Sequence, residues 1–390
     1  MFRGMFKKAF VTILSLVVCL NFVYFLRRTL VADTCDVDLL LKERGQVGGS
    51  ASSAVTLALT ATEETSSNCE PGIPCVYRDA ADLRIIVITY NRWESLLKLL
   101  NSLNDLQTDG DRIALEIWID RSAGGGDVDD LTLRSAESFQ WNHGAARVHV
   151  QRRHVGIYGQ WIDTWRPVGD DELVLFLEDD LSVSPFAYRW LKAARRKYGN
   201  RSDVGGFTLQ SEGLIVAKNA ATFVPRRVDG PVYLYRLVGS WGFAPRPEAW
   251  RRFQDWYRSA SADRRFRPYV DGVIMTSWYK TFEKQGKANT MWTMWFIYFC
   301  NANDLFTVYN NLNALTNTTH SCLAVNRKEP GLHYSGKGKD NGGLLLRYWN
   351  DSFVNFSDAL KKFGFDGHPL TTDDQSSSLL GRPALTSRTT

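Results

Sequence analysis

The chain has 390 residues, is 44% hydrophobic and 23% charged, and carries a formal net charge of +5. Its basic residues are scattered as pairs (Arg152-Arg153, Arg226-Arg227, Arg251-Arg252, Arg264-Arg265). Without one basic stripe, nucleic acid is excluded as the main ligand. The cysteine spacings exclude a zinc site, and 13 Trp, 15 Tyr and 21 Phe suit either a large core or the apolar faces of sugar rings.

The N-terminus carries Arg3, Lys7 and Lys8, then an uncharged apolar run from Ala9 to Leu26, then Arg27-Arg28. The run is long enough to cross a bilayer as a helix, and the leading basic residues favour a cytoplasmic N-terminus. The expectation is a cytoplasmic tail over 1–8, an uncleaved transmembrane anchor over 9–26 and a luminal remainder. The competing reading, a cleaved signal peptide, needs a shorter apolar region and a better cleavage site than Leu30-Val31-Ala32. Residues 27–80 read as a stem, because the Ala-, Ser-, Thr- and Gly-rich stretch from Gly48 to Ser67 lacks the apolar area to offset its ordering entropy. A luminal setting agrees with four N-glycosylation tripeptides, beginning at Asn200, Asn317, Asn350 and Asn355. Outside the anchor, Cys69 with Cys75 and Cys300 with Cys322 are candidate disulfides, leaving Cys35 free or linking two chains.

The globular part, 81–366, opens with a strand over Leu83–Thr89. A helix follows, with apolar positions at Trp93, Leu96, Leu97, Leu100 and Leu103. Strands over Ile113–Ile119 and Arg147–Val150 come next, then a helix over Gly156–Trp165. The unbroken apolar run Leu173 to Leu177 reads as a buried strand, and it ends in Glu178-Asp179-Asp180. Alternating strands and helices predict a parallel, doubly wound sheet. Further on, Val232–Val238 reads as a strand, Pro247–Tyr257 and Val270–Phe282 as helices, and Trp292–Phe299 as a strand or buried edge. The Ser/Thr-rich tail, 367–390, reads as disordered.

In open α/β sheets, ligands collect beyond the carboxyl ends of the strands. Three strands here end in polar groups that converge on such a crevice: Thr89, Asn91 and Arg92 after the first, Asp120 after the second, and Glu178, Asp179 and Asp180 after the fourth. Adjacent carboxylates repel unless a cation sits among them, and a hard divalent ion shared with substrate phosphates satisfies that need. Asp120 suits a ribose or uracil, and Arg92 a base or phosphates.

With these residues in place, the chain resembles the GT-A glycosyltransferases, most of all the inverting N-acetylglucosaminyltransferase I family of the Golgi. The likeness runs from about Arg84 to about Asp340. It is carried by the strand into Asn91-Arg92, by Asp120, by Leu177 to Pro185 around Glu178-Asp179-Asp180, by Gly239-Ser240-Trp241-Gly242-Phe243, and by Tyr269-Val270-Asp271-Gly272. The resemblance implies a GT-A mixed sheet flanked by helices and a catalytic domain over 81–366. It also implies Mn2+ or Mg2+ as cofactor, a UDP-sugar donor, and a glycan or glycoprotein acceptor in the Golgi or ER lumen. By it, Asp180 binds the metal, Arg92, Asp120, Glu178 and Asp179 contact the nucleotide sugar, and Asp271 is the catalytic base; Thr89 and Asn91 join the nucleotide site as residues of the same crevice. Apolar flanks are expected to bury Asp271, which otherwise suits a helix N-cap. A late His in many GT-A enzymes is an extra metal ligand, a role that falls to His333. The family also places a His on the helix before the metal-binding strand; the stretch Gly156 to Asp163 has none, and Asp163 is the nearest match. Trp241 and Trp278 suit either stacking on an acceptor sugar or the core. The alternatives are another GT-A donor, a retaining enzyme without a base on the far side, or a membrane-anchored carbohydrate-binding protein without catalysis.

Overall fold

The computed structural model describes Cys69 and residues 73–370, except 125, 212–213, 218–219, 224–229, 319, 337 and 339–341. The expected tail, anchor and most of the stem (1–68), and the C-terminal segment from 371, lie outside the described residues. No helix among the described residues is long and apolar enough to cross a membrane.

A nine-stranded mixed sheet forms the frame. Its first half is parallel, in the order β3 (Ala146–Val150), β2 (Ile113–Ile119), β1 (Leu83–Thr89), β4 (Val174–Glu178). The second half departs from a purely parallel pattern. β10 (Phe243–Pro245) is wedged antiparallel between β4 and β6 (Val204–Thr208). β11 (Phe306–Asn310) runs parallel to β6 and antiparallel to β9 (Val232–Tyr235), and β13 (Lys362–Phe363) closes that edge. Two short ladders stand apart: β5 (Leu181–Val183) with β12 (Ala324–Asn326), and β7 (Leu214–Ala217) with β8 (Ala220–Phe223).

Alternating side chains of the central strands feed two cores. Ile85 and Val87 of β1 and Leu115 and Ile117 of β2 face α1 (Trp93–Asn104) and α4 (Ala187–Tyr198). α2 (Asp130–Glu137) lies beside α1. On α1 the buried stripe is Leu96, Leu99, Leu100 and Leu103, while Trp93, expected on it, is 37% exposed. Ile86, Ile88 and Phe176 face the opposite core, against α3 (Gly156–Ile162), α5 (Pro247–Ala262) and α7 (Thr293–Ala302). This second core is aromatic: the Trp161 and Trp292 rings stack 4.3 Å apart, and Trp250 and Phe253 meet Phe296. Much of the aromatic content is therefore core. Two glycines make room for it: a Cβ on Gly206 would stand 2.6 Å from the Phe243 ring, and Gly242 has φ +75° with Leu209 2.8 Å from its would-be Cβ.

Three expectations fail here. Trp292–Phe299 is no strand: α7 occupies Thr293–Ala302. Its apolar residues are buried almost all round, so no helical period shows in the sequence. The helix expected from Val270 begins at Ile274, as α6 (Ile274–Lys284). Of the disulfides, Cys69–Cys75 forms, but Cys300 is free and buried, and Cys322 is bonded elsewhere. The four acceptor asparagines, Asn200, Asn317, Asn350 and Asn355, are all exposed.

One charged cluster fastens the segment after Cys75 to the sheet. Glu116 lies in the middle of β2, fully buried. It accepts hydrogen bonds from Arg84, from Arg147 at 3.0 Å, and meets His149 Nε2 at 2.7 Å. Asp79 closes the circuit by pairing with Arg84 at 3.0 Å and Arg147 at 3.1 Å. Removing one member of a buried pair leaves the others uncompensated, which costs about 3–5 kcal/mol. Glu116→Ala is expected to lower unfolding stability by that order in urea melts, and Glu116→Gln by less. Equal stability of Glu116→Ala and wild type would show that the cluster does not hold the sheet.

Candidate active site

The acidic residues occupy the turn between β4 and β5, at the carboxyl end of the parallel half of the sheet. Strand alternation separates them. Asp179, 1% exposed, accepts from Thr89 Oγ1 at 2.7 Å and from both Nε and Nη2 of Arg92. Glu178 points to the aromatic core and accepts from Trp161 Nε1 at 3.0 Å. Asp180, 6% exposed, accepts from Asn326 Nδ2 at 3.3 Å and lies 3.5 Å from Arg92 Nη1. Burial, reinforced by Asp180 and Asp179, pushes Glu178 from 4.5 up to about 8. Burial raises Asp179 from 3.8 to about 6 against the pull of Arg92. Asp180 is raised too, again by burial, with Arg92 and Arg327 opposing. The turn therefore gathers three carboxyls that burial makes reluctant to ionise.

The neighbouring loops are built around this turn. Arg92 Nη1 donates to the Pro330 carbonyl at 3.2 Å, which brings residues 330–336 over the turn. His333 stacks on Phe282 of α6, with ring centroids 5.9 Å apart. Partial desolvation lowers its pKa, while the Thr290 backbone and the Asp180 carboxylate pull the other way. Asn91 lies exposed between β1 and α1, with no side-chain hydrogen bond to a described residue.

Asp120, 4% exposed, ends β2 and caps α3. Its Oδ1 accepts from Val155 N at 3.0 Å and its Oδ2 from Gly156 N at 2.9 Å. Gln160, further along α3, ties the ends of β1 and β2 together by donating to the carbonyls of Thr89 at 3.0 Å and Trp118 at 3.2 Å. Sequence reasoning sought a histidine within Gly156–Asp163 and passed over His154, just before it. The structure sets His154 Nδ1 3.0 Å from Asp120 Oδ2. Asp163, the substitute chosen from sequence, instead lines a cavity of about 280 Å³ with Trp118, His149 and Arg152. Burial raises its pKa.

Asp271 is exposed, three residues before α6, although Val270 and Val273 beside it are buried. The expected burial of its carboxyl is absent because its apolar neighbours turn inward while it turns out. It is not the helix cap, since Val273 holds that position. Trp241 packs against the first core, and Trp278 stands 37% exposed on α6. Four residues that no local pattern marks complete the site: Ser95, Asn326, Arg327 and Glu329. Burial disfavours the charge on Glu329, but hydrogen bonds from Ser95, Arg327 and Lys98 outweigh it and hold the carboxyl at about 2.

No group of three or more His, Cys, Asp or Glu among the described residues is arranged to enclose a metal. The donors present still suit a hard cation that takes most of its ligands from phosphates and water, which needs only one or two carboxylates. Asp180, with Glu178 two residues before it and His333 on the loop that follows Pro330, would be such a set.

A family model described as the SPBC1E8.03c C-terminal domain matches residues 94–265, under half of the chain. No curated protein sequence matches. Among solved structures, the chain is similar to S. aureus TarS 1-349 in complex with UDP-GlcNAc, at 14% identity and TM-score 0.35, covering 65% of this chain and 60% of that one. It is similar to the mannosyltransferase PcManGT from Pyrobaculum calidifontis in complex with GDP-Man and Mn2+, at 14% identity and TM-score 0.28, covering 44% and 46%. It is also similar to GalNAc-T7 with UDP, GalNAc and Mn2+, at 15% identity and TM-score 0.32, covering 44% and 36%. The chain spans less than two thirds of each. At such scores the likeness decides nothing about activity, and the functional reading rests on the site.

The raised carboxyls have a direct consequence. A folded-state pKa above the unfolded one gives stability that is full below the unfolded value and lost as pH rises through the folded one. For Glu178 that window runs from 4.5 to about 8. The ligand-free protein is expected to melt at progressively lower temperature from about pH 5 to about pH 8.5, and Glu178→Gln to flatten the decline and exceed wild type at the upper end. Identical pH profiles for the two proteins in thermal melts would refute the assignment.

Proposed function

We propose that this chain is a GT-A glycosyltransferase that moves a sugar from a nucleotide-sugar donor to a carbohydrate-bearing acceptor. The observation that carries this reading is the buried acidic turn at the carboxyl end of β4, where Asp179 and Asp180 are 1% and 6% exposed and Arg92 reaches both carboxylates. Such a site is suited to a cation and a diphosphate together.

In this reading Asp180 and His333 hold the divalent cation. When bound, the cation supplies positive charge against the negative charge that grows on the diphosphate as the glycosidic bond breaks. Arg92, locked by Asp179 and the Pro330 carbonyl, adds a fixed positive charge at the same place. Asp120 and His154 form the wall after β2 where a ribose or base rests. The acceptor hydroxyl loses its proton to Asp271 as its oxygen bonds to the anomeric carbon and the diphosphate oxygen leaves from the opposite face. That makes the enzyme inverting, and the exposed position of Asp271 suits a base that must meet an incoming acceptor. The finer reading is a UDP-linked N-acetylglucosamine donor, by the resemblance of the motifs. An anchor over 9–26 and a luminal catalytic domain in the Golgi or ER are supported by the apolar N-terminal run, the four exposed acceptor asparagines and the Cys69–Cys75 disulfide.

Two experiments test this. Calorimetric titration with UDP, UDP-N-acetylglucosamine, UDP-galactose and GDP-mannose, with and without manganese, is expected to give manganese-dependent binding of one donor. Asp180→Asn is expected to weaken that binding by about tenfold or more, equivalent to about 1.4 kcal/mol. Absence of binding by all four would remove the reading. Asp271→Asn is expected to bind the donor as wild type does but to transfer sugar roughly 10²–10⁴ times more slowly. Unaltered transfer would move the base elsewhere.

A further inference from the structure

Arg327 follows β12 and is 4% exposed, yet it touches none of the carboxylates expected to bind a ligand. It bonds instead to the backbone behind them. Its N–H donates to the Asp180 carbonyl at 2.9 Å. Its Nη2 donates to the Asp179 carbonyl at 2.6 Å and to the carbonyl and hydroxyl of Ser95 at 2.9 and 3.0 Å. Its Nη1 donates to the Leu181 carbonyl and to Ser182 Oγ at 2.7 Å. Its Nε donates to Glu329 Oε1 at 2.9 Å, which neutralises the buried charge. One residue thus holds three successive carbonyls of the acidic turn and ties them to α1.

We propose that Arg327 is a positioning residue: by fixing the peptide planes from Asp179 to Leu181, it sets the direction in which the Asp180 carboxylate meets a divalent cation and its diphosphate. The inference rests on the functional reading above. Its physical basis is that side-chain direction follows the backbone, and a turn left free would spread its carboxylates apart by mutual repulsion. The planar guanidinium fork supplies donors in several directions at once, which an ammonium does not. Groups behind a ligand shell commonly change metal affinity on the order of 10–100-fold. The same residue opens the segment that leads to His333, and its bond to Glu329 anchors the start of that segment.

The test uses the full chain with Arg327→Lys and with the double variant Arg327→Met/Glu329→Gln, which removes the buried charges as a pair and leaves none stranded. Manganese affinity is read with and without UDP, from the electron paramagnetic resonance of the free ion. UDP affinity is read by calorimetry with and without manganese, and folding by thermal melts. Both variants are expected to unfold cooperatively, to bind manganese about tenfold or more weakly, and to keep wild-type affinity for UDP without manganese. Wild-type manganese affinity in either folded variant would reduce Arg327 to a strut of the core and overturn the proposal. Manganese binding that depends on Arg327, with no sugar nucleotide bound by any form, would uphold the positioning role while the transferase reading falls. Failure of wild type to bind manganese both with and without UDP would overturn both.

Discussion

Asp179 and Asp180 are adjacent, almost fully buried, and preceded by Glu178 at the end of a strand that is otherwise apolar. Carboxylates so placed repel one another and resist ionisation, and most of the surrounding architecture answers that difficulty. Strand alternation sends Asp179 toward Arg92 and Thr89 and sends Glu178 toward Trp161. Arg327 holds the backbone between them from behind. What remains is a buried Asp180 with Arg92 at 3.5 Å and Asn326 at 3.3 Å, a sparser set of partners than Asp179 has.

The contrast with Glu116 is instructive. It too is a fully buried carboxylate on a central strand, but Arg84, Arg147 and His149 all converge on its two oxygens. Its partners come from the two strands that flank it, β1 and β3, and the cluster fastens the chain after Cys75 to the sheet. The two sites use the same residue types in the same fold. They differ in the number of cations brought within hydrogen-bond reach, and that difference separates a structural cluster from a candidate catalytic one.

The parallel half of the sheet was legible in the sequence because β1, β2 and β4 are apolar runs bounded by polar residues. The stripe on α1 was legible up to Trp93, which the helix leaves in solvent. α7 was misread because a helix buried nearly all round carries no period. Cys300 was paired wrongly because spacing gives no distance: it lies buried in the aromatic core while Cys322 sits in a separate cluster. Asp271 was given a buried setting from its neighbours' hydrophobicity, but Val270 and Val273 turn inward and Asp271 turns out.

By itself, the sequence determined where the acidic turn lies, that it follows a buried strand, and that the ends of β1 and β2 carry Thr89, Arg92 and Asp120. Local patterns suffice for that, because strand burial and strand ends are written in consecutive residues. Only the tertiary structure decided which carboxylate is compensated and which is not. Arg327 and Asn326 reach Asp179 and Asp180 across nearly 150 positions of chain, with separations of 148 and 146. Loops 330–336 and 154–156 bring His333 and His154 to the same end of the sheet. Contacts at such separations arise from packing of whole elements, and no short-range pattern of residues encodes them.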